Sequence, residues 1–275
     1  MSIELEARPE RSVGMYDLPE EEMVRRANLL LERMPVENGL VCFELDDTKK
    51  QDALFEDVAR TLEARAFKKF ENTPEDMVRL YGQHDKAADN LFFHDLYVEN
   101  GLASPAGTLR MVRNRENGLP TINGLAAKKK IEPSLYGDFL YEFYGIGDPS
   151  KCWDIATAAV APEYRGTQAS GLVYRAGLLA AKKAGIEHFF AIIDKEAFKG
   201  MEILGFPFKP LPGESWQEFE GSPSSLPVYG RVADFEPAIQ ARQEEWIRAG
   251  KRGIAERFPF DIIGRGTSDN LILLS

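Results

Sequence analysis

Asp154 is the residue whose neighbours best suit it to accept a proton. It lies in a short run of apolar and small residues, 153–160, which is typical of a buried strand. Burial disfavours the charged form of a carboxyl group, and the raised pKa that results suits a base working near neutral pH. A strand-end carboxylate bonded to the main chain or to Arg110 would fit the position equally well. Because side chains alternate along a strand, we expect Asp154, Ala156, Ala158 and Val160 on one face.

A turn and a helix follow this run and could bind a phosphate group. Pro162 and Gly166 interrupt the strand pattern, since proline lacks a donor and glycine permits positive φ. From Gln168 apolar residues recur at helical spacing until Gly185. The start of a helix presents unpaired N–H groups and the positive end of its dipole, which favour phosphate or pyrophosphate. An ordinary strand-to-helix connection in any α/β domain gives the same pattern.

Two motifs in this region resemble the GNAT-type acyltransferases. Val160-Ala161-Pro162-Glu163-Tyr164-Arg165-Gly166 is similar to the strand-and-turn signature that leads into the pyrophosphate loop of that superfamily. After the next predicted strand, 188–194, the segment Asp194-x-x-Ala197-x-x-Gly200-Met201-x-x-x-Gly205-Phe206 is similar to the family's Asn-x-x-Ala-x-x-Leu-Tyr-x-x-x-Gly-Phe. The order and spacing of the two motifs agree with the family.

The resemblance implies roles for the matching positions. Main-chain N–H groups near Ala159 and Val160 would polarise the carbonyl of a thioester, and Asp154 takes the place of a glutamate base found in some members. Met201 would contact the substrate, but it stands where many members carry a tyrosine that acts as general acid. The pyrophosphate of acyl-CoA, or the pantetheine phosphate of an acylated carrier protein, would be held by Arg165, Gly166, Thr167, Gln168, Ala169 and Ser170, although Gln168 and Ser170 replace the usual glycines.

A subgroup of the superfamily gives a closer likeness over residues 41–234. Gly107-Thr108-Leu109-Arg110-Met111 resembles the Gly-x-x-Arg-Leu strand of the acyl-homoserine-lactone synthases and the long-chain N-acyl amino acid synthases, which implies that Arg110 contacts the substrate. Trp153-Asp154-Ile155-Ala156-Thr157 resembles their Trp-Glu-x-Ser-Arg, with Thr157 in place of the arginine. The implied fold is α/β (α+β): a GNAT-like mixed, mostly antiparallel sheet with splayed strands, flanked by helices.

Composition excludes several other classes of protein. The formal charge of −10, from 34 basic and 44 acidic residues, argues against a nucleic-acid partner, because phosphate neutralisation supplies most of that affinity. Cys42 and Cys152 have no metal-ligand spacing and fit a reduced, cytoplasmic protein without a metal cofactor. His94 and His188 match no metal or triad pattern. No run approaches the ~20 apolar residues of a membrane span, and no hydrolase, zinc-protease or P-loop motif is present.

The remaining patterns predict the elements around this region. We expect an N-terminal extension with a helix (1–38), an acyltransferase domain (39–234) and a C-terminal helix and tail that pack on it (235–275). Helix 133–144, rich in aromatic residues, would face either an acyl pocket or the core, and Lys128 to Lys130 would dock the donor or form a solvated face. The predicted elements are helices at 17–34, 54–70, 133–144 and 237–249, a helix starting at 73, strands at 39–46, 90–98, 107–112 and 228–234, and a loop at 210–227.

Two hypotheses of different class follow. The first is an N-acyltransferase that uses acyl-CoA or an acylated carrier protein and acylates the amine of a small molecule such as an amino acid. The second is a non-catalytic acyl-CoA-binding or sensor protein of the same fold, suggested by the missing glycines and the missing tyrosine. An apolar C-terminal tail is also compatible with a homodimer.

Overall fold

Nine strands in the described part of the chain form one sheet. The computed structural model describes residues 13–33, 38–251 and 271–273. The strands are Gly39–Asp46 (β1), Asn90–Glu99 (β2), Leu102–Arg113 (β3), Cys152–Val160 (β4), His188–Asp194 (β5), Lys209–Pro210 (β6), Gln217–Phe219 (β7), Ser222–Arg231 (β8) and Leu271–Leu273 (β9). The α-helices are Glu20–Arg33 (α1), Ala53–Phe67 (α2), Pro74–Ala87 (α3), Pro120–Lys129 (α4), Pro133–Tyr144 (α5), Ala169–Lys183 (α6), Lys195–Leu204 (α7) and Val232–Arg248 (α8).

The sheet is mixed and mostly antiparallel, as predicted. Its order is β6-β8-β5-β4-β3-β2-β1-β9, with β7 paired to β8. Only β4 with β5 and β1 with β9 run parallel among the described strand pairs. The predicted C-terminal tail contributes β9, whose main chain pairs with residues 42–44 of β1. Residues 252–270 and 274–275 of that tail lie outside the described residues, as do residues 1–12 and 34–37 of the N-terminal extension.

Local sequence signals explain where several elements begin. Thr73 and Asp76 form a capping box before Pro74, so α3 begins where the cap-then-proline pattern predicts. Asn100 and Gly101 both have positive φ, as the two-residue turn of the β2–β3 hairpin requires. Asp194 ends β5 and accepts hydrogen bonds from two main-chain N–H groups in the first turn of α7, at 2.9 and 3.1 Å.

Helices cover both faces of the sheet. Neighbouring residues of β5 point to opposite faces, and Phe189 packs with α6 and α8 while Phe190 packs with α4 and α5. α1 and α2 pack on β1 and β2 through Leu30, Phe43 and Phe55. The helix α8 runs across the predicted boundary at 234–235, and its Phe235 belongs to the same core as β2–β5.

The structure differs from the predictions in three segments. Residues 120–129 form α4, whereas no element was expected there. Lys128 Nζ donates to the main-chain oxygen of Glu218 in β7, and Lys129 Nζ lies 2.8 Å from a carboxylate oxygen of Glu214. The segment 210–227, predicted as a loop, contains the end of β6, all of β7 and the first part of β8. Only part of α5 faces the core as expected: Tyr136 and Leu140 are buried, but its other large apolar side chains are exposed, namely Leu135, Phe139 and Phe143.

Candidate active site

A cavity of about 240 Å³ lies where β4 and β5 separate. The two strands pair only from Cys152 with His188 to Ile155 with Ala191, and their remaining residues diverge. The cavity passes through this gap, with α3 and α4 on one side of the sheet and α6 and α7 on the other. Its lining is apolar over most of its area, from Phe67, Phe70, Met77, Leu80, Tyr174, Ile192, Ile193, Ala197, Met201 and Phe219, with a polar part that includes Gln83, Thr121, Asn123 and Asp154.

Asp154 lies on the cavity wall and is 1% exposed. Its carboxylate accepts hydrogen bonds from Thr121 N at 2.7 Å and from Thr121 Oγ1 at 3.1 Å, in the first turn of α4. Burial raises the pKa of Asp154 to about 7, although the two hydrogen bonds from Thr121 act in the opposite direction. Asp154 therefore combines the two properties that the sequence analysis gave as alternatives. Its carboxylate is hydrogen-bonded to the main chain of Thr121, and its pKa lies near neutral pH.

A β-bulge in β4 contradicts the predicted alternation. Arg110 of β3 lies opposite Thr157 and Met111 lies opposite Ile155, so Ala156 is the extra residue. The extra residue exchanges the two faces of the strand beyond it. Asp154 and Thr157 consequently face α2–α4, whereas Ala158 packs on the other face against the core under α6. The prediction that Asp154 and Ala158 share a face is wrong.

The same bulge determines which main-chain groups face the gap. Ala161 N donates to Ala106 O at 2.9 Å, so alternate residues before it, including Ala159, direct their main chain toward β3. The N–H groups of Ala158 and Val160 then point into the space where β5 has separated. Of the two predicted positions, Val160 directs its N–H away from β3, whereas Ala159 pairs with Thr108.

The predicted phosphate turn lies beyond the end of β4 and is open to solvent. Gly166 has φ +77 and Arg165, Gly166, Thr167 and Gln168 are exposed, while Ala169 is buried at the start of α6. Thr167 Oγ1 donates to Tyr164 O at 2.6 Å and accepts from Ala169 N at 3.2 Å. These six predicted residues, through Ser170, do not line the cavity. A ligand that occupied both places would have its polar end at the turn and its apolar end in the gap.

Arg110 does not line the cavity, so the structure does not support its predicted contact with the substrate. It is 0% exposed, and its Nε and Nη2 donate to Glu63 at 3.0 and 2.6 Å. Glu63 also accepts from the Thr157 hydroxyl. The Arg110 guanidinium lies 4.3 Å from the centre of the Tyr81 ring, and the Tyr81 hydroxyl donates to Ala156 O at 3.2 Å. Arg110 therefore holds the bulged part of β4 in position through Glu63, which bonds to Thr157, and through Tyr81, which bonds to Ala156.

Tyr174 and His84 are two polar residues of the cavity that the sequence analysis did not single out. Tyr174 of α6 is partly exposed, and its hydroxyl makes no hydrogen bond to another described residue. Met201, at the position of the family's tyrosine, lines the same cavity and packs in the cluster that Tyr174 adjoins. Tyr174 thus places a hydroxyl group near Met201, the position at which the resemblance implies a tyrosine, but it does so from α6. A tyrosine at helical spacing among apolar residues gives no sequence signal of this kind.

His84 is the second residue that was missed. It lies at the cavity wall near the end of α3, with Nδ1 3.6 Å from Asp89 Oδ2. Burial lowers the pKa of His84, so the ring is neutral near pH 7. The two histidines considered from the sequence lie elsewhere: His94 Nδ1 is 3.1 Å from Gly107 O, and His188 Nδ1 is 2.8 Å from the Tyr229 hydroxyl.

Comparisons with known proteins identify the fold. No protein-family model matches the sequence, and no curated protein matches it. The structure is similar to that of FeeM, an N-acyl amino acid synthase from uncultured soil microbes, with a TM-score of 0.53 and 15% identity over 74% of this chain and 97% of that chain. BjaI, a CoA-dependent acyl-homoserine lactone synthase, aligns with a TM-score of 0.47 and 15% identity over 86% of this chain and 94% of that chain.

The similarity to FeeM confirms the predicted fold. The chain shares with that protein a mixed, mostly antiparallel sheet flanked by helices. Among residues 13–33 and 38–251, no helix is both long and apolar enough to cross a membrane. Within those same ranges, no three histidine, cysteine or acidic side chains are grouped as a metal site would require.

Proposed function

We propose that this chain, with its GNAT-type fold, is an N-acyltransferase. It would move an acyl group from the thioester of acyl-CoA or of an acyl carrier protein to the amine of a small molecule such as an amino acid. One observation carries the proposal: the separation of β4 from β5 opens a mostly apolar cavity directly beside Asp154, a carboxyl group whose pKa burial raises to about 7. Acyl transfer needs that combination of a sheltered acyl site and a proton acceptor.

Each group has a part in the proposed reaction. The diphosphate of the donor binds at the turn from Arg165 to Ser170, where N–H groups at the start of α6 favour negative charge. The acyl chain enters the gap, and the N–H groups of Ala158 and Val160 face the carbonyl oxygen, which becomes negative as the tetrahedral intermediate forms. Both groups lie at the end of β4, so the donor can reach the turn and the gap together.

Proton transfer completes the step. The amine nitrogen attacks the carbonyl carbon and forms the C–N bond, while its proton passes to Asp154. A carboxylate oxygen that already accepts one hydrogen bond has a further lone pair, so the bonds from Thr121 leave capacity for this proton. The C–S bond then breaks and the thiolate leaves. The Tyr174 hydroxyl remains protonated because burial raises its pKa, and it can donate a hydrogen bond to the departing sulfur.

A non-catalytic acyl-CoA-binding protein is the second candidate. The observations in its favour are Gln168 and Ser170 in the phosphate turn and Met201 in place of a tyrosine. Such a protein would bind the thioester in the same cavity without releasing thiol. The presence of Asp154, Tyr174 and His84 on the cavity wall favours the enzyme.

Thiol release separates the two candidates. The chain would be incubated with acyl-CoAs of several lengths and a panel of amino acids and amines, and free thiol would be read with a chromogenic disulfide. Both protein cysteines are buried, which keeps the background low. We expect amine-dependent release that Asp154→Asn abolishes and that Asp138→Asn, a change to an exposed carboxylate on α5, preserves. Saturable acyl-CoA binding with no release across the panel would establish the binding protein instead.

A further inference from the structure

The β7–β8 hairpin forms one wall of the cavity, to which Phe219, Glu220, Ser222 and Ser225 contribute. Ser225 is the first residue of β8 that pairs with β5, and it lies opposite Asp194, the last residue of β5. The hairpin residues before Ser225 therefore extend past the end of β5. Its tip is a tight turn in which Glu220 has φ 46 and Gly221 has φ 78. The tip lies against the segment before α3 and against α4.

Contacts from three parts of the chain hold this tip in place. Asn72 Nδ2 donates to Glu220 O at 3.1 Å, and Arg79 Nη2 lies 3.3 Å from a carboxylate oxygen of Glu220. From α4, Lys128 Nζ donates to Glu218 O at 2.7 Å. At Gly221 a side chain is excluded, because a Cβ atom would lie 2.4 Å from Phe70 O. The hairpin is therefore a fixed wall with specific anchors.

Phe219 is the side chain that this wall directs into the cavity. It lines the cavity and is partly exposed to it. Its ring rests on α4 at Gly124, where an added Cβ atom would lie 2.7 Å from the ring's Cζ and 3.2 Å from its Cε2. The ring can occupy this position only because residue 124 has no side chain. Phe219 and Gly124 together thus fix the position of this part of the cavity wall.

The volume sets the size of the ligand. An apolar cavity of about 150 Å³ takes up benzene, with its six carbon atoms. Scaled to about 240 Å³, the space holds about ten non-hydrogen atoms at the same packing. The reacting part of the acceptor must share this space with the acyl chain, so the chain has to be short or of medium length.

We propose that Phe219, seated on Gly124, is the specificity-determining residue that limits the length of the acyl chain, and that the substrates carry short to medium-length chains. This inference rests on the proposed acyl transfer. Long chains are excluded because their ends would meet the Phe219 ring. Removing the ring extends the cavity toward the hairpin, and adding a side chain at residue 124 forces the ring to move.

The test is the profile of kcat/KM against acyl-CoAs from two to fourteen carbons. For the wild type we expect kcat/KM to rise with chain length and then to fall sharply beyond the limiting length. In Phe219→Ala we expect kcat/KM to keep rising past that length, by about fourfold for each further methylene that the enlarged cavity buries. Gly124→Ala and Phe219→Trp are expected to move the limit to shorter chains. Trp216→Ala is the matched control, because this aromatic residue next to β7 packs on Phe198 and does not line the cavity.

The outcomes distinguish this inference from the proposed function. If acyl transfer occurs and the length profile of Phe219→Ala equals that of the wild type, the role of Phe219 is refuted while acyl transfer stands. If no variant releases thiol, acyl transfer fails, and calorimetric binding of free fatty acids of the same lengths tests the wall directly. A length preference in that binding that Phe219→Ala leaves unchanged, or no binding at all, would overturn the inference. If Gly124→Ala fails to fold, the length profiles of Phe219→Ala and Phe219→Trp still test the role of Phe219.

Discussion

Replacing Asp154 with asparagine isolates the effect of its charge. Asparagine has nearly the same shape, and its side-chain oxygen can accept from Thr121 N while its amide group donates to the Thr121 hydroxyl. The two contacts at 2.7 and 3.1 Å therefore remain possible. What the substitution removes is a carboxyl group that changes its protonation state between the folded and the unfolded chain.

The size of the effect follows from the pKa of Asp154. Folding raises this pKa from 3.8 to about 7, and each pKa unit corresponds to about 1.4 kcal/mol. Between these two pH values the folded chain holds a proton that the unfolded chain has released, so stability falls as pH rises. The loss is about 1.4 kcal/mol per pH unit and about 4 kcal/mol in total. Stability from this group is fully present below pH 4 and lost above pH 7.

The measurement compares the free energy of unfolding of the two proteins in urea from pH 5.5 to 8.5. We expect Asp154→Asn to gain stability relative to the wild type up to about pH 7 and to keep a constant advantage above it. Other buried groups, including Asp95 and His94, are common to both proteins and cancel in the difference. In thiol release, the wild-type kcat/KM should rise with a midpoint near pH 7. Parallel stability curves for the two proteins would refute the assignment of a raised pKa to Asp154.

Three further changes test other parts of the molecule. Burial raises the pKa of Asp95 far above its ordinary value beside the Cys42 thiol, so Asp95→Leu should raise the melting temperature in calorimetry by a few degrees, from about 1–3 kcal/mol; a lower melting temperature would contradict this. Gly166→Ala places a side chain at φ +77 and should raise KM for acyl-CoA more than it lowers kcat, whereas Gly147→Ala, a change in open space, should leave both unchanged. Tyr174→Phe should lower kcat with an alkyl thioester by about 100-fold. The same change should have little effect with an aryl thioester, because its thiolate leaves without a hydrogen-bond donor. Equal losses of kcat with both thioesters would exclude a hydrogen bond from Tyr174 to the departing sulfur.

Elements with strong local signals could be predicted from the sequence. The strands β1 and β5 and the helix α5 have the predicted bounds, 39–46, 188–194 and 133–144, because glycine, proline or a capping residue marks their ends. The turn at Gly166 and the cap at Asp194 are also local features, so two parts of the candidate site followed from neighbouring residues. Sequence therefore located the strand and turn on which the site is built.

Features that depend on distant contacts could not be predicted. The prolines and glycines of 210–227 favour a loop, but residues 225–231 of β8 pair with β5 and override that preference. Thr121 and His84 reach the cavity from α4 and α3, which are distant in sequence from Asp154. The bulge at Ala156 is equally invisible, since an apolar run of small residues has the same composition with or without an extra residue.

The bulge connects the buried charges to the chemistry. Before it, Trp153 and Ile155 pack in the core under α6 and α8; after it, the Thr157 hydroxyl is held by Glu63 on the opposite face. Glu63 is in turn held by Arg110, and a buried carboxylate without its partner would cost about 3–5 kcal/mol. The strand is thus fixed on one face before Ala156 and on the other face after it, which directs the N–H groups of Ala158 and Val160 into the gap. Arg110, which the resemblance assigns to substrate binding, is better explained as the positioning residue that keeps this turned strand in place.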